Sequence, residues 1–137
     1  MPAKAAFDSN VVLYLLSPDE HKAETAARLL GCRGIVSVQV LNEVANVMRR
    51  KMQADWTEIT ELLDLVTSVC EVRPLTVAVQ QRGLEIARKH QFSIYDAMIV
   101  ASAVEASCSV LYSEDMQHGF RLDELRICNP FAKALPS

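Results

Sequence analysis

The sequence is short of almost everything that would divide it into parts. Its 137 residues hold only 4 glycines and 5 prolines, and no Ser/Gly/Pro-rich stretch separates two halves, so one domain over residues 1–137 is expected. Long apolar runs are missing as well. The longest uncharged ones, Val11–Leu16 and Ala97–Val104, fall far short of the roughly 20 residues that a membrane helix needs. A signal peptide is not expected either: Lys4 could open one, but Asp8 interrupts the apolar stretch and no small-residue cleavage site follows. The protein is therefore expected in the cytoplasm, with no membrane partner. Cysteines are few and far apart. Cys32, Cys70, Cys108 and Cys128 form no Cys-x-x-Cys pair, which argues against zinc or redox chemistry and for reduced packing residues. Positive charge is not in excess, since 14 Lys and Arg stand against 17 Asp and Glu for a formal charge of −3. What is present is a chain 50% apolar and 23% charged, the composition of a compact globular domain.

Apolar spacing predicts helices and strands in alternation. Asp19–Leu30 places Ala23, Ala26, Ala27 and Leu30 on one stripe that Gly31 ends. Val38–Lys51 does the same with Val40, Val44, Val47 and Met48, leaving Gln39, Asn42, Asn46, Arg49 and Arg50 on the wet face. Trp56, Ile59, Leu62, Leu63, Val66 and Val69 form a third stripe, and Thr76 caps a weaker helix running to Lys89. Ile94–Ala106 is apolar almost all round, so burial between other elements is expected for it. Between the helices lie strand-sized runs: Ala5–Phe7, Ile35–Val36, Val69–Val72, Ser109–Tyr112 and Leu125–Cys128. The alternation implies right-handed crossovers and an α/β fold, three-layered, around a mainly parallel sheet of roughly five strands. Sites in such sheets form beyond the carboxyl ends of the strands.

Three of four candidate acids lie at or near strand ends, where that rule points, and the fourth faces inward from a helix. Asp8 follows the first strand in Phe7-Asp8-Ser9-Asn10, although Asp, Ser and Asn are also good helix caps. Glu43 lies between Val40 and Val47 at the edge of the stripe that faces the core, where an unpaired carboxylate is costly. Asp96 ends Ser93-Ile94-Tyr95-Asp96, which also fits a capping box at the start of the most apolar helix. Asp115 closes Tyr112-Ser113-Glu114-Asp115 just past the fourth strand, where a surface turn would explain it and Glu114 competes with it. Clustered carboxylates repel unless a divalent cation joins them, and an oxygen-only set favours Mg²⁺ or Mn²⁺ over zinc. A cation held this way typically activates water and steadies an in-line phosphoryl displacement, which predicts phosphodiester hydrolysis.

The segments Phe7-Asp8-Ser9-Asn10-Val11-Val12, Leu41-Asn42-Glu43-Val44, Tyr95-Asp96-Ala97-Met98-Ile99-Val100-Ala101-Ser102-Ala103 and Tyr112-Ser113-Glu114-Asp115-Met116-Gln117-His118-Gly119 closely resemble those of PIN-domain proteins, in particular the VapC-type toxins of bacterial toxin-antitoxin pairs. The resemblance runs nearly the whole chain, to Arg126-Ile127-Cys128-Asn129-Pro130-Phe131. It implies a PIN-like fold and an acidic pocket of Asp8, Glu43, Asp96 and Asp115, catalytic and metal-holding, with Asp8 and Asp96 as the foremost ligands. Ser9 and Asn10 then hydrogen-bond the carboxylates and fix their orientation. It further implies a Mg²⁺-dependent endoribonuclease that leaves a 5′-phosphate and a 3′-hydroxyl, forms a homodimer and is silenced by a cognate antitoxin. Spacing within the motif favours Asp115 over Glu114 as the fourth acid.

The acidic balance sits badly with an RNA substrate, whose phosphates need cations. The four pocket acids, however, account for more than the whole formal charge of −3, so the remainder is slightly basic. Arg49-Arg50-Lys51 and Arg88-Lys89-His90 are candidates for a basic rim, or else helix ends favoured by the macrodipole. His118 is not needed as a base where a cation acidifies water, and Trp56 and Tyr14 suit a core or an interface better than a base-stacking platform. Three other readings compete. An aspartyl-nucleophile phosphatase would want a second acid two residues after Asp8, where Asn10 stands; a receiver domain would need paired early acids and a late lysine; and a PIN scaffold could serve binding alone.

Overall fold

In the computed structural model the described residues are 4–132, arranged as β1 (Ala5–Phe7), α1 (Ser9–Leu13), a 3-10 turn (Tyr14–Leu16), α2 (Glu20–Gly31), β2 (Ile35–Ser37), α3 (Val38–Arg50), α4 (Trp56–Val69), β3 (Glu71–Arg73), α5 (Val77–His90), α6 (Ile94–Glu105), β4 (Val110–Tyr112), β5 (Arg121–Leu122) and β6 (Leu125–Cys128). Each helix begins at a residue whose side chain accepts from an orphan N–H of the first turn. Asp8 does so for α1, Asp19 for α2, Ser37 for α3, Thr76 for α5 and Ser93 for α6. At α4, Asp55 and Glu58 complete a reciprocal capping box.

The sheet order is β3-β2-β1-β4-β6-β5, parallel throughout except where β5 runs antiparallel to β6. Consecutive residues of the central strands are buried, as in Ala6-Phe7, Ile35-Val36-Ser37 and Val110-Leu111. Burial without alternation means that both faces are covered, as a three-layer α/β fold requires. The chain winds outward from β1 through β2 to β3, then returns to lay β4 on the other flank of β1, with Phe7 level with Tyr112. The strand order therefore reverses between β1 and β4, and a crevice opens at their carboxyl ends. Helix α6 is buried from Ala97 to Ala103. It lies close on α5 because Gly83 has no Cβ, which would stand 2.6 Å from Met98 Sδ.

Several expectations need correction. The sheet has six strands, not about five, because Arg121–Leu122 pairs with Leu125–Cys128 across a turn in which Asp123 takes a φ of 52°. Helix α2 does not stop before Gly31 but includes it, and the left-handed residue beyond is Arg33, with a φ of 59°. Strand β3 starts at Glu71, since Val69 still belongs to α4. Trp56 is not in the core: it stands in the first turn of α4, 65% exposed, with the Arg49 guanidinium 4.7 Å from its ring centroid. Cys70 and Cys108 are buried packing residues, whereas Cys32 is exposed and Cys128 is half-buried.

Candidate functional site

The crevice between β1 and β4 gathers the acids. Asp8 leaves the end of β1 and is 3% exposed. Its Oδ1 accepts from the Ser9 backbone N–H at 2.7 Å and more weakly from Ser9 Oγ at 3.4 Å. Its Oδ2 accepts from Ser113 Oγ at 2.7 Å and from Asn10 Nδ2 at 3.2 Å. Ser113 is the first residue after β4 and fully buried, and its Oγ in turn accepts from the Met116 N–H at 3.1 Å. The parallel register of β1 and β4 is what brings this hydroxyl to Asp8.

Asn10 joins two acids. The same Nδ2 that reaches Asp8 also donates to Asp115 Oδ2 at 3.2 Å, while Asn10 Oδ1 accepts from the Glu114 N–H at 3.1 Å. One amide thus fixes the β4 loop against the start of α1. Glu114 turns the other way. Its carboxylate accepts from the Tyr14 hydroxyl and from Lys22 Nζ, the latter at 3.2 Å. Lys22 Nζ also lies 4.4 Å from the Tyr14 ring centroid, and Tyr14 packs edge-on against Phe131 at 4.7 Å. The two neighbours thus differ in surroundings: Asp115 shares the Asn10 amide with Asp8, and Glu114 is tied to Lys22 of α2.

Glu43 and Asp96 close the group from α3 and α6. Both are half-buried. Burial holds the carboxyls of Asp8, Glu43 and Asp96 above their usual range, most of all by stripping water from the charged form. Hydrogen bonds from Ser113 and Ser9 oppose the rise at Asp8, those from Ser9 and Gln39 oppose it at Glu43, and one from Ser93 opposes it at Asp96. Mutual repulsion adds to the rise: Asp96 and Asp115 act on Asp8, Asp8 and Asp96 on Glu43, and Asp115 on Asp96. Asp8 thus stands in the field of Asp96 and Asp115, and Glu43 in that of Asp8 and Asp96.

Among the described residues, no three carboxylate, imidazole or thiol groups stand close enough to make a ready cage for a metal. The donor chemistry nevertheless fits a hard dication. The donors are oxygens alone, their charges repel, and the protonation they favour is what a cation would replace. Sequence reasoning did not assign Ser113, Gln39, Lys22 or Tyr14 to this region. Only Ser113 carried a signal, as a hydroxyl two residues before Asp115 at a strand end.

The basic segments lie at the carboxyl ends of α3 and α5, where the helix dipole favours cations. Within them Arg49 donates to the Ala54 carbonyl, Lys89 pairs with Glu85 and His90 packs edge-on against Phe120. The exposed His118 accepts from the Asn129 N–H at its Nδ1, 2.9 Å away. A concavity of about 440 Å³ opens beside Glu43, lined by Gln39, Asn42, Glu43, Asn46 and Tyr95. Another of about 420 Å³ lies at the opposite, amino ends of the strands, around Lys4, Arg33 and Glu71, away from the acids.

Residues 5–121 match the family described as the PIN domain. No curated protein matches the sequence. Solved structures do match the fold. A toxin-antitoxin complex from Klebsiella pneumoniae superposes with a TM-score of 0.70 at 16% identity, covering 93% of this chain and 98% of that one. The VapC20 toxin of Mycobacterium tuberculosis, a sarcin-ricin loop cleaving toxin, gives a TM-score of 0.67 at 17% identity, over 82% and 92% of the two chains. VapBC2 of Rickettsia felis, bound to a DNA fragment from its promoter, gives 0.65 at 16% identity over 90% and 96%. At these identities the likeness is one of fold.

Proposed function

Because the chain belongs to the PIN-domain family, we propose that it is a Mg²⁺-dependent endoribonuclease, with Mn²⁺ as an alternative ion, and the toxin of a type II toxin-antitoxin pair. The observation that carries the reading is the buried Asp8 at the β1/β4 crevice, joined to Asp115 through Asn10 and repelled by Asp96 and Asp115. Asp8, Glu43, Asp96 and Asp115 would hold the ion. When bound, a divalent cation offsets charge on the phosphoryl oxygens and lowers the pKa of water. The chain's own residues supply the positioning. Ser113, Ser9 and Asn10 donate to Asp8 and leave its carboxylate one orientation, and Asn10 holds Asp115 at a fixed separation from it. Burial of Asp8 keeps competing water from its carboxylate.

The two acids after β4 should behave differently. Asp115→Asn is expected to lower RNA cleavage by about tenfold or more, within the range that disturbed metal-site partners cost. Glu114→Gln leaves a side chain able to bond Tyr14 and Lys22, so its loss should be smaller. Cleavage rates of the two variants on one labelled RNA decide the matter, and the reverse order would assign Glu114 to the ion instead.

The proposed partners are RNA, a cognate antitoxin and a second copy of the chain, and the proposed compartment is the cytoplasm. An open acidic crevice is complementary to a basic segment of an antitoxin, which would exclude both ion and substrate. Expression of the wild type in bacteria is expected to arrest growth, co-expression of the neighbouring small protein to relieve it, and Asp96→Asn to be harmless at equal protein level. Equal arrest by wild type and Asp96→Asn would remove the nuclease-toxin reading and favour a binding scaffold. Cleavage of RNA by the purified protein without growth arrest would leave the enzyme and remove the toxin.

A further inference from the structure

The concavity beside Glu43 differs in chemistry from the acidic crevice it adjoins. Gln39, Asn42, Glu43 and Asn46 stand at three- and four-residue spacing, hence on one face of α3, and Tyr95 closes the opposite side from the first turn of α6. Its volume, about 440 Å³, falls in the range of small-ligand sites, roughly 300–1,000 Å³. No lysine or arginine lines it, and Glu43 places negative charge at its edge. A phosphate would be repelled there. Three side-chain amides offer paired donors and acceptors, the pattern that matches a nucleobase edge. Tyr95 adds an aromatic face that is 64% exposed and so accessible to a ligand from solvent. Glu43 lines the concavity and is repelled by Asp8 and Asp96, so a base on the Tyr95 ring lies next to the acids.

We infer that this concavity is a nucleobase subsite, in which the Tyr95 ring stacks on one base of a single-stranded RNA while the amides of Gln39, Asn42 and Asn46 read its edge. The inference rests on the ribonuclease reading and names the part of the substrate that the acids do not hold. Single-stranded RNA follows from the chemistry, because a paired base offers neither a free face nor its Watson–Crick edge. Stacking of this kind tolerates any base, so preference among bases would come from the amides.

The test is binding of short fluorescein-labelled single-stranded RNAs of differing base composition, followed by anisotropy with calcium in place of magnesium. It is paired with photocross-linking of a thiouridine-containing RNA and with sedimentation of each variant. Tyr95→Ala is expected to weaken binding about tenfold, the order of one lost base stack, whereas Tyr95→Phe keeps the ring and should bind like the wild type. Asn42→Ala and Asn46→Ala should narrow the differences among RNAs, and cross-links should map to Tyr95 or to the facing turn of α3. Wild-type binding by Tyr95→Ala, equal weakness of Tyr95→Ala and Tyr95→Phe, or cross-links confined to other elements would overturn the subsite. So would loss of self-association in Tyr95→Ala with RNA affinity unchanged, which would assign the ring to a protein interface. Tyr95-dependent binding without any Mg²⁺-dependent cleavage would retain the subsite and remove the nuclease. Cleavage with Tyr95-independent binding would do the opposite, and absence of both would remove both.

Discussion

Asp96→Asn and Glu43→Gln are each expected to reduce Mg²⁺-dependent cleavage of single-stranded RNA by at least about a hundredfold, the upper end of what loss of a supporting group costs a metal site. The expectation follows from electrostatics. Glu43 stands in the field of Asp8 and Asp96, and Asp96 in that of Asp115, and removing one charge weakens the attraction of the whole group for a dication. The amides preserve shape and both positions are half-buried, so both variants should stay folded and melt in one cooperative transition. Asp8→Asn should be as inactive but is less clean. Its carboxylate accepts from Ser113 and Asn10 on one oxygen, and an amide nitrogen at that place would set donor against donor. Turnover of labelled RNA by the three purified variants, with melting curves as a fold control, is the measurement. Near wild-type turnover by Asp96→Asn would sink the four-acid reading.

Much of the architecture was legible because local chemistry and tertiary role agree. The three- and four-residue spacing of Val40, Val44 and Val47 marks α3, expected at Val38–Lys51 and found at Val38–Arg50. The unbroken apolar run after Asp96 marks a helix buried on all sides, as α6 is from Ala97 to Ala103. Strand β5 escaped because two residues carry no periodicity, and only pairing with β6 defines it. Trp56 fitted an apolar stripe, yet position in the first turn leaves it over Arg49 in solvent; spacing gives a face but not how far the neighbouring element extends.

The candidate acids were legible as a list and not as a geometry. Glu114 and Asp115 stand in the bend that follows β4, and they differ wholly in surroundings although they differ by one position. Which of them faces Asp8 is decided by the register of β4 on β1 and by Lys22, a partner far away in the chain. Neither is a local property. Ser113 was hidden for the same reason: its hydroxyl matters only because β4 lies directly beside β1. The apparent conflict of an acidic chain with an RNA substrate also takes a different form in space. Negative charge is gathered at one crevice, and part of the positive charge at the helix ends is held by local partners such as Glu85.

Without divalent cations, the melting temperature should fall as pH rises through the carboxylate range. Asp8, Glu43 and Asp96 have folded-state values raised above their ordinary 3.8, 4.5 and 3.8. A raised value means that the folded state binds protons more tightly than the unfolded chain, so stability declines with pH from those ordinary values up to the folded ones, and the cost persists at neutrality. Magnesium binds the deprotonated acids and offsets that cost. At a hundred times its dissociation constant it adds about 2.7 kcal/mol, or roughly 5–10 °C for a domain of this size. The gain from magnesium over EDTA should therefore widen between about pH 4 and pH 7. Glu85, held below its usual range by Lys89 on the surface of α5, contributes with the opposite sign. It is common to wild type and variants and cancels in their difference. Asp96→Asn removes one raised group and relieves part of the repulsion on Asp8 and Glu43. Its melting temperature in EDTA should depend less on pH, and its response to magnesium should shrink. Thermal unfolding of both proteins across that range, with EDTA or magnesium, tests the point. Parallel pH curves in EDTA together with equal magnesium shifts would mean that the acids are neither coupled in the folded state nor the place where the ion binds.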